Sequence, residues 1–327
     1  MRCVFRRESC LLTIDTPTSE TSRWRAVVRV LRSPLDALSC AFFPTTCVLC
    51  GFPLPHLSSA PICQACWSEF PVQSGDLCAR CGDSLDAPAL EYAPSISGLC
   101  RACRMAPPAF VWAVAYGPYQ ERMKAAIHAL KYDRLHRSAH GLGRMLAQAI
   151  AQLADEAPAE MLVVPVPLHR SKRAQRGFNQ ARSLAAAALD ELHKTHPAWR
   201  LTLASTTLMR HRATDSQAGL TPRQRRINVR GAFAVSDPAA VSGKHILVID
   251  DIYTTGATAR ASAQTLIEAG AASVWVATLA RAGRMRDGRR KDSAHFYPEV
   301  DDGEAGRLPA ASVEQESMVS SHEQPPF

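Results

Sequence analysis

Two adjacent carboxylates, Asp250 and Asp251, are followed after two residues by a run of small and hydroxylated ones, Thr254, Thr255, Gly256, Ala257 and Thr258. Hydroxyls and backbone N–H groups in such a turn can surround a phosphate, above all where a helix begins. A helix N-terminus presents unpaired N–H donors and the positive end of the helix dipole. Carboxylates beside it can hold a sugar diol, directly or through a hydrated Mg²⁺. One short stretch thus provides for both a 5′-phosphate and a ribose. The elements that must position it flank it. Residues 246–249 are a β-branched apolar run that reads as a buried strand, and residues 259–269 have helical character up to Gly270 at the C′ position.

Four apolar residues, two acids and TTGAT resemble the phosphoribosyl-pyrophosphate (PRPP) signature of type I phosphoribosyltransferases, over the thirteen residues 246–258. The chain has neither GxxxxGK[ST] nor GxGxxG. Upstream, residues 161–166 read as a second buried strand that runs into Val164-Pro165-Val166-Pro167. Prolines end strand pairing and stiffen the loop that leaves it. The following LHRSKRAQRGFNQARSL carries Arg170, Lys172, Arg173, Arg176 and Arg182, with Gly177 as a flexible point. A basic loop at the C-terminal edge of a parallel sheet is suited to neutralising pyrophosphate, and a solvated charge run is the plain alternative. Lys131, in ALKYD near the end of a helix expected over 119–132, is a further candidate for phosphate contact. A second helix is expected over 141–154 and strands over 111–116 and 272–279. The basic cluster Arg210-His211-Arg212 leads through Thr214, Ser216 and Gln217 to Arg223, Arg225, Arg226 and Asn228, and could form a flap.

Eight of the eleven cysteines form four CxxC pairs: Cys47/Cys50, Cys63/Cys66, Cys78/Cys81 and Cys100/Cys103. Glycine follows two of them, at Gly51 and Gly82, as in zinc knuckles. Four thiolates close one tetrahedral Zn²⁺ site, so four pairs supply one or two structural zincs, and the spacing leaves open which pairs share a metal. The surrounding segment is rich in Pro, Gly and Ser, so metal binding would supply its folding energy. Glu8 and Asp15 interrupt any signal-peptide core, so no export is expected and disulfides fit poorly, and four tandem copies do not suit a redox CxxC. Cys3, Cys10 and Cys40 fall outside the pattern.

The chain of 327 residues is 46% hydrophobic, enough for one α/β domain and a smaller module. It has no apolar run that would span a bilayer, so no membrane partner and a cytoplasmic location are expected. A net charge of +8, mostly arginine, suits a phosphorylated small molecule, single-stranded nucleic acid or merely an arginine-rich proteome, without deciding among them. The expected organisation is an N-terminal extension over 1–40 with an amphipathic helix at 24–38, a cysteine-rich module over 41–106, an α/β domain over 107–283 and a structureless tail over 284–327.

Taken in order, the four CxxC pairs, ALKYD, VVPVPLHRSKRAQRGFNQ, the segment from Thr214 to Asn228 and ILVIDDIYTTGAT resemble the ComF family, also called GntX-like or competence protein F, over roughly residues 40–282. The resemblance implies a doubly wound parallel sheet of the type I phosphoribosyltransferase fold behind a double zinc ribbon. It implies Mg²⁺ and PRPP as ligands. Asp250 and Asp251 would hold ribose and metal, Thr254 to Thr258 the 5′-phosphate, and Pro165, Val166, Pro167, Arg173, Arg176 and Lys131 would face the pyrophosphate. The family is linked to natural transformation, so single-stranded DNA or a helicase are candidate partners. Phosphoribosyl transfer to a nitrogenous acceptor, PRPP binding without turnover, and a DNA-uptake interaction protein are the three readings. Oligomeric state and acceptor are not legible.

Overall fold

A five-stranded sheet in which every neighbouring pair is parallel organises the chain, in the order β1-β7-β6-β2-β3. The strands are β1 (Ala113–Pro118), β2 (Glu160–Pro165), β3 (Arg200–Leu203), β6 (His245–Tyr253) and β7 (Ser273–Arg281), with a separate antiparallel pair β4 (Leu208–Arg210) and β5 (Phe233–Val235). This computed structural model describes residues 46–54, 61–85, 98–132, 138–212 and 221–283. The expected helix at 24–38, the expected tail and the 213–220 part of the expected flap lie outside the described residues.

β6 is apolar and buried over Ile246, Leu247, Val248 and Ile249, and β7 is buried from Val274 to Arg281, because both faces of the sheet are covered there. One face carries α3 (Glu121–Tyr132), α4 (Ser138–Ala151) and α6 (Gln180–Thr195), whose Leu130, Leu142, Leu146, Leu184 and Leu192 pack on Leu247, Ile249 and Ala277. Against the other lie α8 (Ala257–Glu268), the β4–β5 pair and the cysteines from Cys78 to Cys103, which share a buried cluster with Ile246, Val248, Val274 and Val276. Chain connections leave β2 toward β3 and leave β6 toward β7, in opposite directions across the sheet. The crevice between the C-terminal ends of β2 and β6 is therefore the topological switch point, where ligands bind in open α/β sheets.

Several elements depart from the sequence expectation. Strand β6 does not stop at Ile249 but continues to Tyr253, since its partner β7 pairs with it from His245↔Ser273 to Tyr253↔Arg281. The basic stretch after Pro167 is helical rather than a loop. It forms α5 (Arg170–Arg176), N-capped by His169, and then α6, N-capped by Asn179. Gly177 separates them at φ 77°, as a left-handed C-cap that fixes the break. The basic cluster from Arg210 to Asn228, expected between two strand-like segments, is flanked by β4 and β5. Sequence reading missed β3, α6 and α7 (Pro222–Val229), the last opened by a capping box between Thr221 and Gln224.

The cysteine-rich segment includes two short helices, α1 (Gln64–Ser68) and α2 (Arg101–Met105). It also covers an edge of the main sheet. Gln73 donates its backbone N–H to the Tyr116 carbonyl on β1 at 2.8 Å, and its side-chain amide to the Gly82 carbonyl at 2.6 Å. An edge strand left open would offer its free N–H and C=O groups to other chains.

Candidate functional site

At the switch point the two loops singled out in the sequence lie side by side. Val166 donates its N–H to the Ile249 carbonyl at 2.8 Å, one residue before Asp250. Asn179 then holds the Val166 carbonyl at 3.0 Å, so the cap of α6 also anchors the Pro165–Pro167 turn. Asp250 and Asp251 are both half-buried, and the Asp251 N–H donates back to the Asp250 carboxylate at 2.9 Å. Beyond Tyr253 the chain turns through Thr254 and Thr255 to Gly256, the N-cap of α8. The Thr255 hydroxyl accepts from the Ala257 N–H at 3.4 Å, while Thr258 stands in the helix's first turn.

Charge collects around the acids. Lys131 Nζ lies 2.6 Å from Asp251 Oδ2, an ion pair only 22% and 14% exposed. Burial opposes the Lys131 charge, but the Asp251 carboxylate more than offsets it and leaves the ammonium above its ordinary range. Burial pushes the Asp250 carboxyl up to about 8, and the adjacent Asp251 charge adds to the effect. Arg176, half-buried at the end of α5, lies within electrostatic reach of Lys131, whereas Arg173 is exposed on the same helix. Arg210 at the end of β4 belongs to this group as well. Burial lowers its pKa, Asp250 counteracts that, and its guanidinium stands 5.5 Å from the Phe233 ring centroid. Its link to Asp250 spans forty residues and two sheets, and no local pattern encodes it. Arg212 donates to the carbonyls of Asn228 and Arg230 at 2.9 and 2.7 Å, closing the β4–β5–α7 unit that packs against α8.

Gly256 takes φ 72°, and a Cβ built there would overlap the phenol ring and hydroxyl of Tyr253. Gly256→Ala is therefore expected to lower stability by about 2–3 kcal/mol, combining left-handed backbone strain with a displaced buried ring. Denaturant unfolding of variant and parent checks this, and an unchanged midpoint would contradict it.

The eight paired cysteines gather into two sets, Cys47/Cys50/Cys63/Cys66 and Cys78/Cys81/Cys100/Cys103, each with its sulfurs within 4.8 Å of one another. The first CxxC thus shares a site with the second, and the third with the fourth. Sulfur separations of 3.8 Å (Cys47–Cys66), 3.7 Å (Cys50–Cys63) and 3.7 Å (Cys81–Cys100) match the edge of about 3.8 Å expected for a tetrahedron with zinc–sulfur bonds of about 2.3 Å. In both sets a knuckle is followed by a cysteine that N-caps a short helix, Cys63 on α1 and Cys100 on α2. Burial resists ionisation of Cys47, yet backbone N–H donors from Cys63, Leu49 and Cys50 pull its thiol down to about 6. The donor sets fit zinc.

The double zinc ribbon domain family matches residues 38–104, and the phosphoribosyl transferase domain family matches residues 175–304. The chain is 34% identical over 240 residues to the DNA utilization protein YhgH of Salmonella typhi, covering 73% of this chain and 97% of that protein. The chain belongs to the competence protein F-like (ComF/GntX) family. It is also 26% identical over 245 residues to competence protein F of Haemophilus influenzae, covering 74% of this chain and 99% of that one. Among solved structures, the glutamine PRPP amidotransferase of B. subtilis with ADP and GMP is similar at 22% identity and a TM-score of 0.28, covering 46% of this chain and 30% of that chain. Among the described residues of this family member, no helix is long and apolar enough to cross a membrane.

Proposed function

We propose that this ComF-family chain binds Mg²⁺–PRPP at the β6–α8 loop and transfers its phosphoribosyl group to a nitrogenous acceptor. The observation that carries the reading is the convergence at one switch point of Asp250, Asp251, the Thr254–Thr258 turn, the Pro165–Pro167 loop and the cations Lys131, Arg176 and Arg210. On this reading residues 41–106 hold metal and residues 107–283 hold substrate.

The turn's N–H groups and the hydroxyls of Thr254, Thr255 and Thr258 receive the 5′-phosphate, with α8 directing its dipole at it. Asp250 and Asp251 hold the ribose hydroxyls. Bound Mg²⁺ would supply charge neutralisation between the carboxylates and the pyrophosphate. The C1′–oxygen bond breaks through an oxocarbenium-like state, and pyrophosphate leaves with the bonding pair. Arg176, Arg210 and a Lys131 released from Asp251 stabilise its growing charge. The acceptor nitrogen forms the new bond to C1′ and gives up its proton to solvent.

Isothermal titration of the zinc-replete protein tests the reading. Micromolar binding of PRPP that needs Mg²⁺, followed by acceptor-dependent pyrophosphate release, is the expected result. A folded, zinc-loaded protein that takes up no PRPP would overturn it. Binding without release under any acceptor would reduce the protein to a PRPP-responsive one. The relatives' names, competence and DNA utilization, favour a role in handling internalised DNA, and exposed Arg223, Arg226 and Arg230 favour a single-stranded DNA contact. A steep fall of DNA affinity with salt would support that contact.

A further inference from the structure

The two cysteine sets stand in different relations to the candidate PRPP loop. Cys47 and Cys66 form a small cluster of their own with Ile62. The second set is buried at all four positions and belongs to one apolar cluster with Tyr253, Ala257 and Ala259, the residues that flank and begin the loop.

Two arginines join that second set to the loop's two ends. Arg281, buried at the end of β7, donates to the Cys81 carbonyl and reaches Cys81 Sγ at 3.5 Å and Asp83 Oδ1 at 3.3 Å. The same guanidinium lies 4.3 Å from the Tyr253 ring centroid, and Phe110 meets that ring edge-on at 6.4 Å. Tyr253 is the last residue of β6, and Gly256 rests directly on its phenol. On the far side of the loop, Arg260 in the first turns of α8 donates to the Ala106 carbonyl at 2.8 Å, with its second nitrogen 4.0 Å from Cys103 Sγ. Four thiolates outweigh a divalent cation, so a filled site carries net negative charge that attracts both guanidinium groups. The first set differs here too. Its arginine, Arg122, donates to Cys66 Sγ at 3.2 Å and pairs with Glu69, at the opposite end of α3 from Lys131.

We propose that Arg281 and Arg260 are positioning residues that tie the phosphate-binding loop to the second zinc centre, so that metal at Cys78/Cys81/Cys100/Cys103 sets the loop's order and its affinity for PRPP. The proposal rests on the reading of this loop as a PRPP site. With the metal bound, Arg281 is held between Cys81 and Tyr253, and the ring beneath Gly256 has one place to lie. With the metal gone, the knuckle that fixes Arg281 and the α2 end that fixes Arg260 lose their anchor together. Coupling of this kind is reciprocal, so PRPP must in turn retain the second metal.

Pulsed alkylation of the full-length, zinc-replete protein under chelator challenge, resolved by mass spectrometry, reads each cysteine set separately. Mg²⁺–PRPP is expected to slow labelling of Cys78, Cys81, Cys100 and Cys103 by at least about fivefold and to leave Cys47, Cys50, Cys63 and Cys66 within about twofold. Arg260→Ala, at a half-buried position, is expected to weaken PRPP binding by about tenfold in titration and to remove that protection. Arg281→Lys keeps a cation over Tyr253 and is expected to retain most of the protection that Arg281→Ala loses. Arg122→Ala is expected to leave PRPP affinity within about twofold. Protein that binds PRPP yet shows no selective protection, or an Arg260→Ala variant that binds like the parent, overturns the coupling and leaves the PRPP site standing. A parent that binds no PRPP overturns both.

Discussion

Asp250→Asn/Asp251→Asn is expected to lose Mg²⁺–PRPP affinity by about a hundredfold or more while remaining folded and zinc-loaded. Each carboxylate would make charge-assisted hydrogen bonds to a ribose hydroxyl or to hydrated Mg²⁺. Bonds to charged groups contribute about 1.5–3 kcal/mol each, so two together reach a hundredfold at about 1.4 kcal/mol per tenfold. The single variants should move stability in opposite directions. Burial holds the Asp250 carboxyl up at about 8, far above the value of about 3.9 in an unfolded chain. A raised carboxyl pKa means that the folded state holds the proton more tightly. Its contribution is greatest below the unfolded value and is lost as pH climbs toward 8. Asp250→Asn removes this penalty, so its advantage in melting temperature should grow between pH 5 and pH 8.5 to a few degrees. Asp251→Asn instead leaves Lys131 half-buried without its 2.6 Å partner, and should melt lower than the parent. Binding has the same origin. The site must shed the Asp250 proton to take up Mg²⁺–PRPP, so affinity should rise up to about tenfold per pH unit below 8 and level off above it. Thermal melts and titrations across that range decide the matter. An Asp250→Asn variant that is less stable at pH 8.5 than the parent would refute the electrostatic assignment.

Much of this site was legible because its parts are contiguous in sequence. The apolar run before Asp250 specifies a buried strand, and the Thr254–Thr258 turn follows with no interruption, so one window contains both the scaffold and the groups it presents. The cysteines announced their chemistry through the CxxC interval. Their assignment to two sets did not follow from it, because partner pairs are separated by chain that can close in several ways. Charge misled the reading of 168–184. Arginine-rich sequence looks like solvated loop, yet His169 and Asn179 cap two helices there, and Gly177 breaks between them. Lys131 and Arg210 illustrate the remaining gap. Each meets the acidic pair across the fold, through packing of α3 and β4, so neither the ion pair nor the arginine's neighbour is written in its local sequence.

Removing zinc should damage the fold far more at one centre than at the other. Structural zinc contributes on the order of 10 kcal/mol or more to a module of this kind. Cys50 is exposed, and among the described residues the first set has little apolar support beyond Ile62, Leu49, Leu54 and Trp67. Cys50→Ser should therefore lose one equivalent of zinc and loosen the first ribbon, with the α/β melting transition shifted by only a few degrees. Cys78→Ser strikes a fully buried thiol inside the cluster that also contains Phe110, Val164 and Tyr253. It should lose the second zinc and depress the main transition by about 10 °C or more, since a buried gap opens in the core and Arg281 is left with Asp83 in place of a filled thiolate site. Chelating both metals adds a consequence of sheet architecture. The backbone at Gln73 that caps β1 through the Tyr116 carbonyl belongs to the segment between the two sets. Once that segment unfolds, β1 becomes an open edge with Val114 and Tyr116 on it, and a freed edge strand pairs with other chains. Chelated protein should thus aggregate at temperatures where the Cys50→Ser variant stays monodisperse in light scattering. Equal zinc loss with equal melting shifts for the two cysteine variants would mean that the second centre is no more part of the core than the first.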